Sequence, residues 1–104
     1  MGVSEMMMEL HVINRKTGRL VRAFALGDAA ELLIGRDEAC DICLNAPSVS
    51  REHCLIEEVD GDLHVRDLDS AGGTHCGGKK IEDVRIEHGL EIEVGPATLR
   101  FIED

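Results

Sequence analysis

Apolar and polar residues alternate with a period of two along most of this chain. Met8, Leu10 and Val12 alternate with Glu9 and His11, the pattern of a half-buried strand. The run Asn14-Arg15-Lys16-Thr17-Gly18 supplies a turn, and Leu20 to Leu26 predicts a second strand, so the two read as a hairpin. Glu31 to Ile34, halted by Gly35, predicts a third strand, and Ile42-Cys43-Leu44 a short fourth. Cys54 to Val59 and Leu63 to Arg66 flank Asp60-Gly61, a dipeptide that favours a two-residue hairpin loop. Thr74-His75-Cys76 predicts a short strand turned by Gly77-Gly78. Leu90 to Val94 and Thr98 to Ile102 close the chain across Gly95-Pro96-Ala97. The only helical candidate, Gly27 to Leu33, is too short to stand alone.

Many short strands at close spacing predict an all-β fold. The expected form is a two-sheet β-sandwich of about ten short, mostly antiparallel strands with no substantial helix. Residues 1–7 read as a flexible lead-in and residues 8–104 as a single domain. Three loops stand out by their small and polar residues: Gly35 to Asp41, Asn45 to His53, and Asp69 to Gly73. Loops carried on a rigid sandwich are the usual seat of recognition residues.

Composition narrows the function classes. A chain of 104 residues fits one domain, and 43% hydrophobic residues are enough to build a core. Aromatics make up only 2%, Phe24 and Phe101, so that core must be aliphatic. Eleven Lys and Arg against twenty-one Asp and Glu give a formal charge of −10. Such a surface repels phosphate backbones, and there is no aromatic platform for bases, so nucleic-acid binding is not expected. No segment reaches the roughly 20 apolar residues of a membrane span. The first residues lack a basic region followed by an apolar run. Direct membrane insertion is therefore not expected, and the expected compartment is cytoplasmic.

Two chemistries need weighing. Cys40-Asp41-Ile42-Cys43 has the spacing of half a zinc site or a redox pair, and His53-Cys54 and His75-Cys76 could complete it on paper. Cys54, however, opens an apolar run, and free cysteine is among the most buried residue types. The expectation is four reduced thiols and no metal or other cofactor. Ser50 and His53 suggest a nucleophile and base, with Asp67 or Asp69 as orienter. No strand-to-helix Gly-x-Ser-x-Gly elbow accompanies them. No catalytic residue is assigned, and an enzyme is not expected.

A more specific pattern lies in the order of the loop residues. Gly35-Arg36 is followed by Asp41-Ile42-Cys43-Leu44, then Val49-Ser50-Arg51-Glu52-His53-Cys54. Next come Asp67-Leu68-Asp69-Ser70-Ala71-Gly72-Gly73-Thr74, Gly77-Gly78, Gly89 and Val94-Gly95. In this order and spacing the chain resembles a forkhead-associated (FHA) domain from about Met8 to Ile102. The resemblance implies a β-sandwich that binds phosphothreonine in a partner protein, the product of a Ser/Thr kinase, through loops at one end. A phosphothreonine carries about −1.5 to −2 charges and three acceptor oxygens. Arg36 offers a fork of donors to those oxygens, Ser50 a hydroxyl, and Arg51 a second cation. Ala71 and Gly72 complete the phosphate- and peptide-binding set. Gly35, His53 and Gly73 match positions that support the site from behind.

This chain departs from the family at two of those positions. The family usually has Asn where Gly72 stands, to hold the peptide backbone, and often Ser or Thr where Ala71 stands. The phosphate half of the pattern is kept and the peptide-backbone half is stripped. The leading expectation is a phosphothreonine-dependent peptide-binding module in kinase signalling or complex assembly. The alternative is a degenerate FHA domain acting as a phosphate-independent interaction or scaffold module.

Overall fold

The computed structural model of the protein describes residues 8–27 and 31–103. The lead-in at residues 1–7 and the centre of the helical candidate, residues 28–30, lie outside the described residues. Eleven strands follow in chain order: β1 (Met8–Asn14), β2 (Leu20–Ala25), β3 (Glu31–Gly35), β4 (Ile42–Cys43), β5 (Cys54–Val59), β6 (Asp62–Asp67), β7 (Thr74–Cys76), β8 (Lys79–Ile81), β9 (Asp83–Arg85), β10 (Glu91–Val94) and β11 (Ala97–Glu103). They form two sheets. One has the order β2-β1-β11-β10-β7-β8 and the other β4-β3-β5-β6-β9. The pairs are antiparallel except β3 with β4, which run parallel. The expected sandwich is therefore what the chain forms.

The period of two explains the layering. Leu10 and Val12 of β1, Ile92 and Val94 of β10, and Leu99 and Phe101 of β11 turn into the core from one sheet. Ile34, Ile56 and Val65 meet them from the other. Each such side chain, fully buried, stabilises the fold by about 1.5–3 kcal/mol. Phe101 is the one aromatic ring in that core, fully buried, and aliphatic residues fill the rest.

The turns follow local chemistry. Asp60 (φ 52°) and Gly61 (φ 87°) both take positive φ between the paired ends Val59 and Asp62, as a type I′ turn requires. The β1–β2 turn is closed by Asn14, whose side-chain oxygen accepts the backbone N–H groups of Lys16 and Thr17 at 2.9 and 3.1 Å. The β1–β2 register then shifts, Val12 facing Arg22 but Ile13 facing Leu20, so Val21 is the extra residue of a bulge on the edge strand.

The described end of the helical candidate is the strand the sequence pattern predicts. Glu31 to Leu33 belong to β3, where Leu32 faces Ile56 and Leu33 faces Leu55. Pairing and burial override a weak local helix preference. Two strands, β8 and β9, were not expected from the pattern. The chain passes between the sheets at Glu82, whose carbonyl accepts the N–H of Asp67 at 2.8 Å.

This topology gathers the loops. Since Asp60-Gly61 joins β5 and β6 at one end, the segments before β5 and after β6 meet at the other. There they join the β3–β4 connection. All three loops singled out by composition thus share one end of the sandwich.

Candidate functional site

Gly35 sets how closely two of these loops approach. A Cβ at this position would lie 2.1 Å from the Arg51 carbonyl oxygen and 3.0 Å from Cys40 Sγ. Only glycine lets the end of β3 press against the 49–53 segment. Two backbone bonds zip them together: Arg36 N–H to the Ser50 carbonyl at 2.9 Å and Asp37 N–H to the Arg51 carbonyl at 3.2 Å. The Arg36 side chain is pinned by its own Nε–H, which donates to the Val49 carbonyl at 3.0 Å. That leaves the terminal N–H groups of an exposed guanidinium for an anion.

Ser50 ties in the third loop. Its Oγ accepts the backbone N–H of Ala71 at 2.9 Å. With the oxygen engaged as an acceptor, its O–H proton remains to be donated elsewhere. His53, fully buried, works behind both loops. Its Nδ1 accepts the Ser50 N–H at 3.1 Å, and its Nε2 lies 2.9 Å from the Gly73 carbonyl. A backbone N–H only donates and a carbonyl only accepts, so the ring is neutral with its proton on Nε2. Both nitrogens are committed to backbone, and neither faces the Ser50 hydroxyl as a base would.

Asp67 holds the base of the 69–73 loop. One carboxylate oxygen accepts the Ser70 and Thr74 hydroxyls at 2.6 and 2.7 Å, and the other accepts the Ser70 N–H at 3.1 Å. Burial pushes this carboxyl upward, but the hydrogen bonds donated by Ser70 and Thr74 outweigh it and hold it below the ordinary value. Asp69 then takes φ 58° and reverses the chain toward the cleft, a conformation Asp tolerates better than most residues.

Together these contacts form a cleft of about 360 Å³ lined by Arg36, residues 47–50, Ala71 and Gly72. Of the expected binding residues, Arg36, Ser50, Ala71 and Gly72 line it. Arg51 is exposed and does not. Gly35, His53 and Gly73 are buried behind it. Sequence reasoning missed Pro47 and Ser48 in the wall, although it marked their loop, and it missed Asp67 as the brace. A larger cleft, about 560 Å³, lies at the opposite end, where Glu58, Asp62, Glu87 and Glu103 outnumber Arg85. That wall repels an anion.

The four cysteines are free thiols. Cys54 is fully buried, and burial pushes its thiol up to about 12. Cys40 donates to the Arg51 carbonyl at 3.2 Å, and its thiol is raised, chiefly by burial. Among the described residues no three His, Cys, Asp or Glu side chains converge as a metal-binding group. No helix among them is long and apolar enough to cross a membrane.

Comparisons with known proteins converge on one family. The family model described as FHA domain matches residues 32–95. Among curated proteins, the chain is 38% identical over 78 residues to the FHA domain-containing protein PS1 of Arabidopsis thaliana, covering 69% of this chain and 5% of that protein. It is 32% identical over 88 residues to the oxoglutarate dehydrogenase inhibitor of Corynebacterium diphtheriae, covering 85% of this chain and 62% of that one. It thus spans less than two thirds of either relative. Among solved structures, Mycobacterium tuberculosis EmbR in complex with a low-affinity phosphopeptide superimposes with a TM-score of 0.78 at 30% identity. The match covers 92% of this chain and 24% of EmbR.

Proposed function

The chain belongs to the FHA domain family, and from that premise we propose that it is a phosphothreonine-dependent protein-binding module. Its partner is a protein phosphorylated by a Ser/Thr kinase. The phosphate enters the cleft between residues 47–50 and the 71–72 edge. The Arg36 guanidinium pairs with two phosphate oxygens, and the Ser50 hydroxyl donates to the third. Arg51 reaches over from the rim as a second cation.

The observation that carries this reading is the pinned Arg36. Its Nε bond to the Val49 carbonyl fixes the guanidinium plane before any ligand arrives. A solvated surface arginine has no such anchor. Preorganisation of this kind lowers the ordering cost of binding. EmbR, with the same fold, has been captured with a phosphopeptide, which supports the assignment by analogy.

A second reading rests on Ala71 and Gly72. Neither has a side chain that can hold the peptide backbone or the phosphate. A hydrogen bond to the peptide backbone is worth about 0.5–1.5 kcal/mol and one to the phosphate about 1.5–3 kcal/mol, so losing one or both weakens binding by roughly three- to a thousand-fold. Carried to its limit, this makes the chain a phosphate-independent scaffold. Calorimetric titration with a degenerate phosphothreonine peptide library and its unphosphorylated twin separates the two. We expect binding that needs the phosphate and falls at least about tenfold in Arg36→Ala. Equal binding of both libraries, or of neither, selects the scaffold.

A further inference from the structure

The cleft is flanked by charges of opposite sign. Residues 47–50 line it, and the chain runs on through Arg51 and Glu52 on its far side. At the start of this segment, Ser48 and Val49 meet the β10–β11 turn: a Cβ on Gly95 would lie 2.7 Å from Val49 Cγ2 and 2.9 Å from Ser48 Oγ. The Gly95 carbonyl accepts Arg15 Nη1 at 2.9 Å, and the Pro96 carbonyl accepts the Arg15 N–H at 3.0 Å. The β1–β2 turn therefore stands beside the cleft, with Arg15, Lys16 and Arg19 on it. Residues 15–22 hold four cations and no acid, in a chain of charge −10. Arg15 has Glu93 at 3.9 Å. Among the described residues, Lys16 and Arg19 have no carboxylate within 4 Å.

At its other end the same segment turns acidic. The Arg51 carbonyl takes the Asp37 N–H, and the exposed carboxylates of Asp37, Glu38 and Glu52 outnumber the one exposed cation on this side, Arg51. An apolar groove of about 210 Å³ lies between the chain entering the cleft wall, at Asn45 and Ala46, and the strands flanking the basic turn, at Asn14, Val21 and Arg22.

We infer that the β1–β2 turn is a second recognition element, which selects phosphothreonine partners carrying acidic residues on one side of the phosphate only. This rests on the reading of the cleft given above. A peptide bound through its phosphate leaves the cleft in two directions. Toward Ala46 and Pro96 it meets Lys16 and Arg19, and toward Asp37 it meets carboxylates. Acidic residues are thus favoured on the first side and repelled on the second, so the charge pattern fixes the direction in which the partner lies.

The test is calorimetry at low salt with three phosphothreonine peptides. One is neutral, one carries three glutamates before the phosphothreonine, and one carries them after. One glutamate peptide is expected to bind about three- to tenfold tighter than the neutral one, and the other no tighter. Lys16→Ala/Arg19→Ala removes side chains that make no hydrogen bond or ion pair among the described residues. It should erase that preference, leaving the neutral peptide and the thermal midpoint unchanged. The inference is overturned alone if both glutamate peptides match the neutral one, or if the preference survives the double variant. It is overturned too if the preference persists without phosphate, which would assign the turn to a different acidic partner. Failure of all three to bind, with Arg36→Ala no different, overturns the reading of the cleft and takes this inference with it.

Discussion

The hydroxyl oxygen of Ser50 accepts the backbone N–H of Ala71, 21 residues further along the chain, at 2.9 Å. One side chain thus joins two of the three loops around the cleft, and its own proton remains to be donated. Ser50→Ala loses both functions. Phosphopeptide affinity should fall about ten- to a hundredfold, and stability by about 1 kcal/mol. Amide exchange at Ala71 should quicken. Ser50→Thr keeps the oxygen and should keep protection at Ala71, which separates the brace from packing.

Gly72→Asn restores the side chain that the family uses to hold the peptide backbone. Its Cβ would stand 3.2 Å from the Ser48 carbonyl oxygen, so the neighbouring loop must yield by a few tenths of an ångström. One recovered hydrogen bond is worth about 0.5–1.5 kcal/mol. Titration should show affinity rising about three- to tenfold. No gain would mean that the peptide main chain does not pass over Gly72.

Gly35→Ala tests the close approach of β3 and the 49–53 segment. The added methyl collides with the Arg51 carbonyl, and strain of this kind costs about 1–3 kcal/mol. Chemical denaturation should show that loss. Phosphopeptide binding should weaken further than stability alone explains, because the bonds from Arg36 N–H and Asp37 N–H loosen with the loop. An alanine variant with wild-type binding would remove Gly35 from the support of the site.

Asp67 gives the fold an acid limit. Its carboxyl is held below 3.8 in the folded chain, whereas the unfolded chain titrates near that ordinary value. The unfolded state therefore takes up the proton first as pH falls. The stabilisation is complete above 3.8 and is lost as pH drops through the lower folded-state value. In denaturation curves over a pH series, wild type should exceed Asp67→Asn at neutral pH. The gap should narrow below 3.8. A constant gap would show that the Ser70 and Thr74 bonds do not depend on the charge.

The sandwich was legible where pattern and turn chemistry agree. Asp60-Gly61 marked its hairpin, Asn14 to Gly18 the β1–β2 turn, and period-two alternation the buried faces of β1 and β11. Strands β8 and β9 were not legible. Lys79-Lys80-Ile81 and Asp83-Val84-Arg85 each hold one aliphatic residue among charges. They are strands only because β7 and β6 offer them a partner. The cleft residues were marked by resemblance and then assembled by bonds that no spacing reveals. Arg36 to Val49, Ser50 to Ala71 and His53 to Gly73 all span chain separations set by the fold. Glu31 to Ile34 was legible as a strand, and its leucines pair across β5.

The bulge at Val21 has a consequence for how the molecule behaves among its own copies. Strand β2 is an outer strand with Leu20 and Val21 more than half exposed, which invites edge-to-edge pairing and aggregation. The extra residue breaks the ladder there, and Arg19 and Arg22 beside it would face like charges in a second copy. The opposite border, β8, is three residues long and carries two lysines. The outer strands of the other sheet, β4 and β9, are two and three residues long. Among the described residues no border offers a long, uncharged template, which disfavours the stacking of copies into fibres.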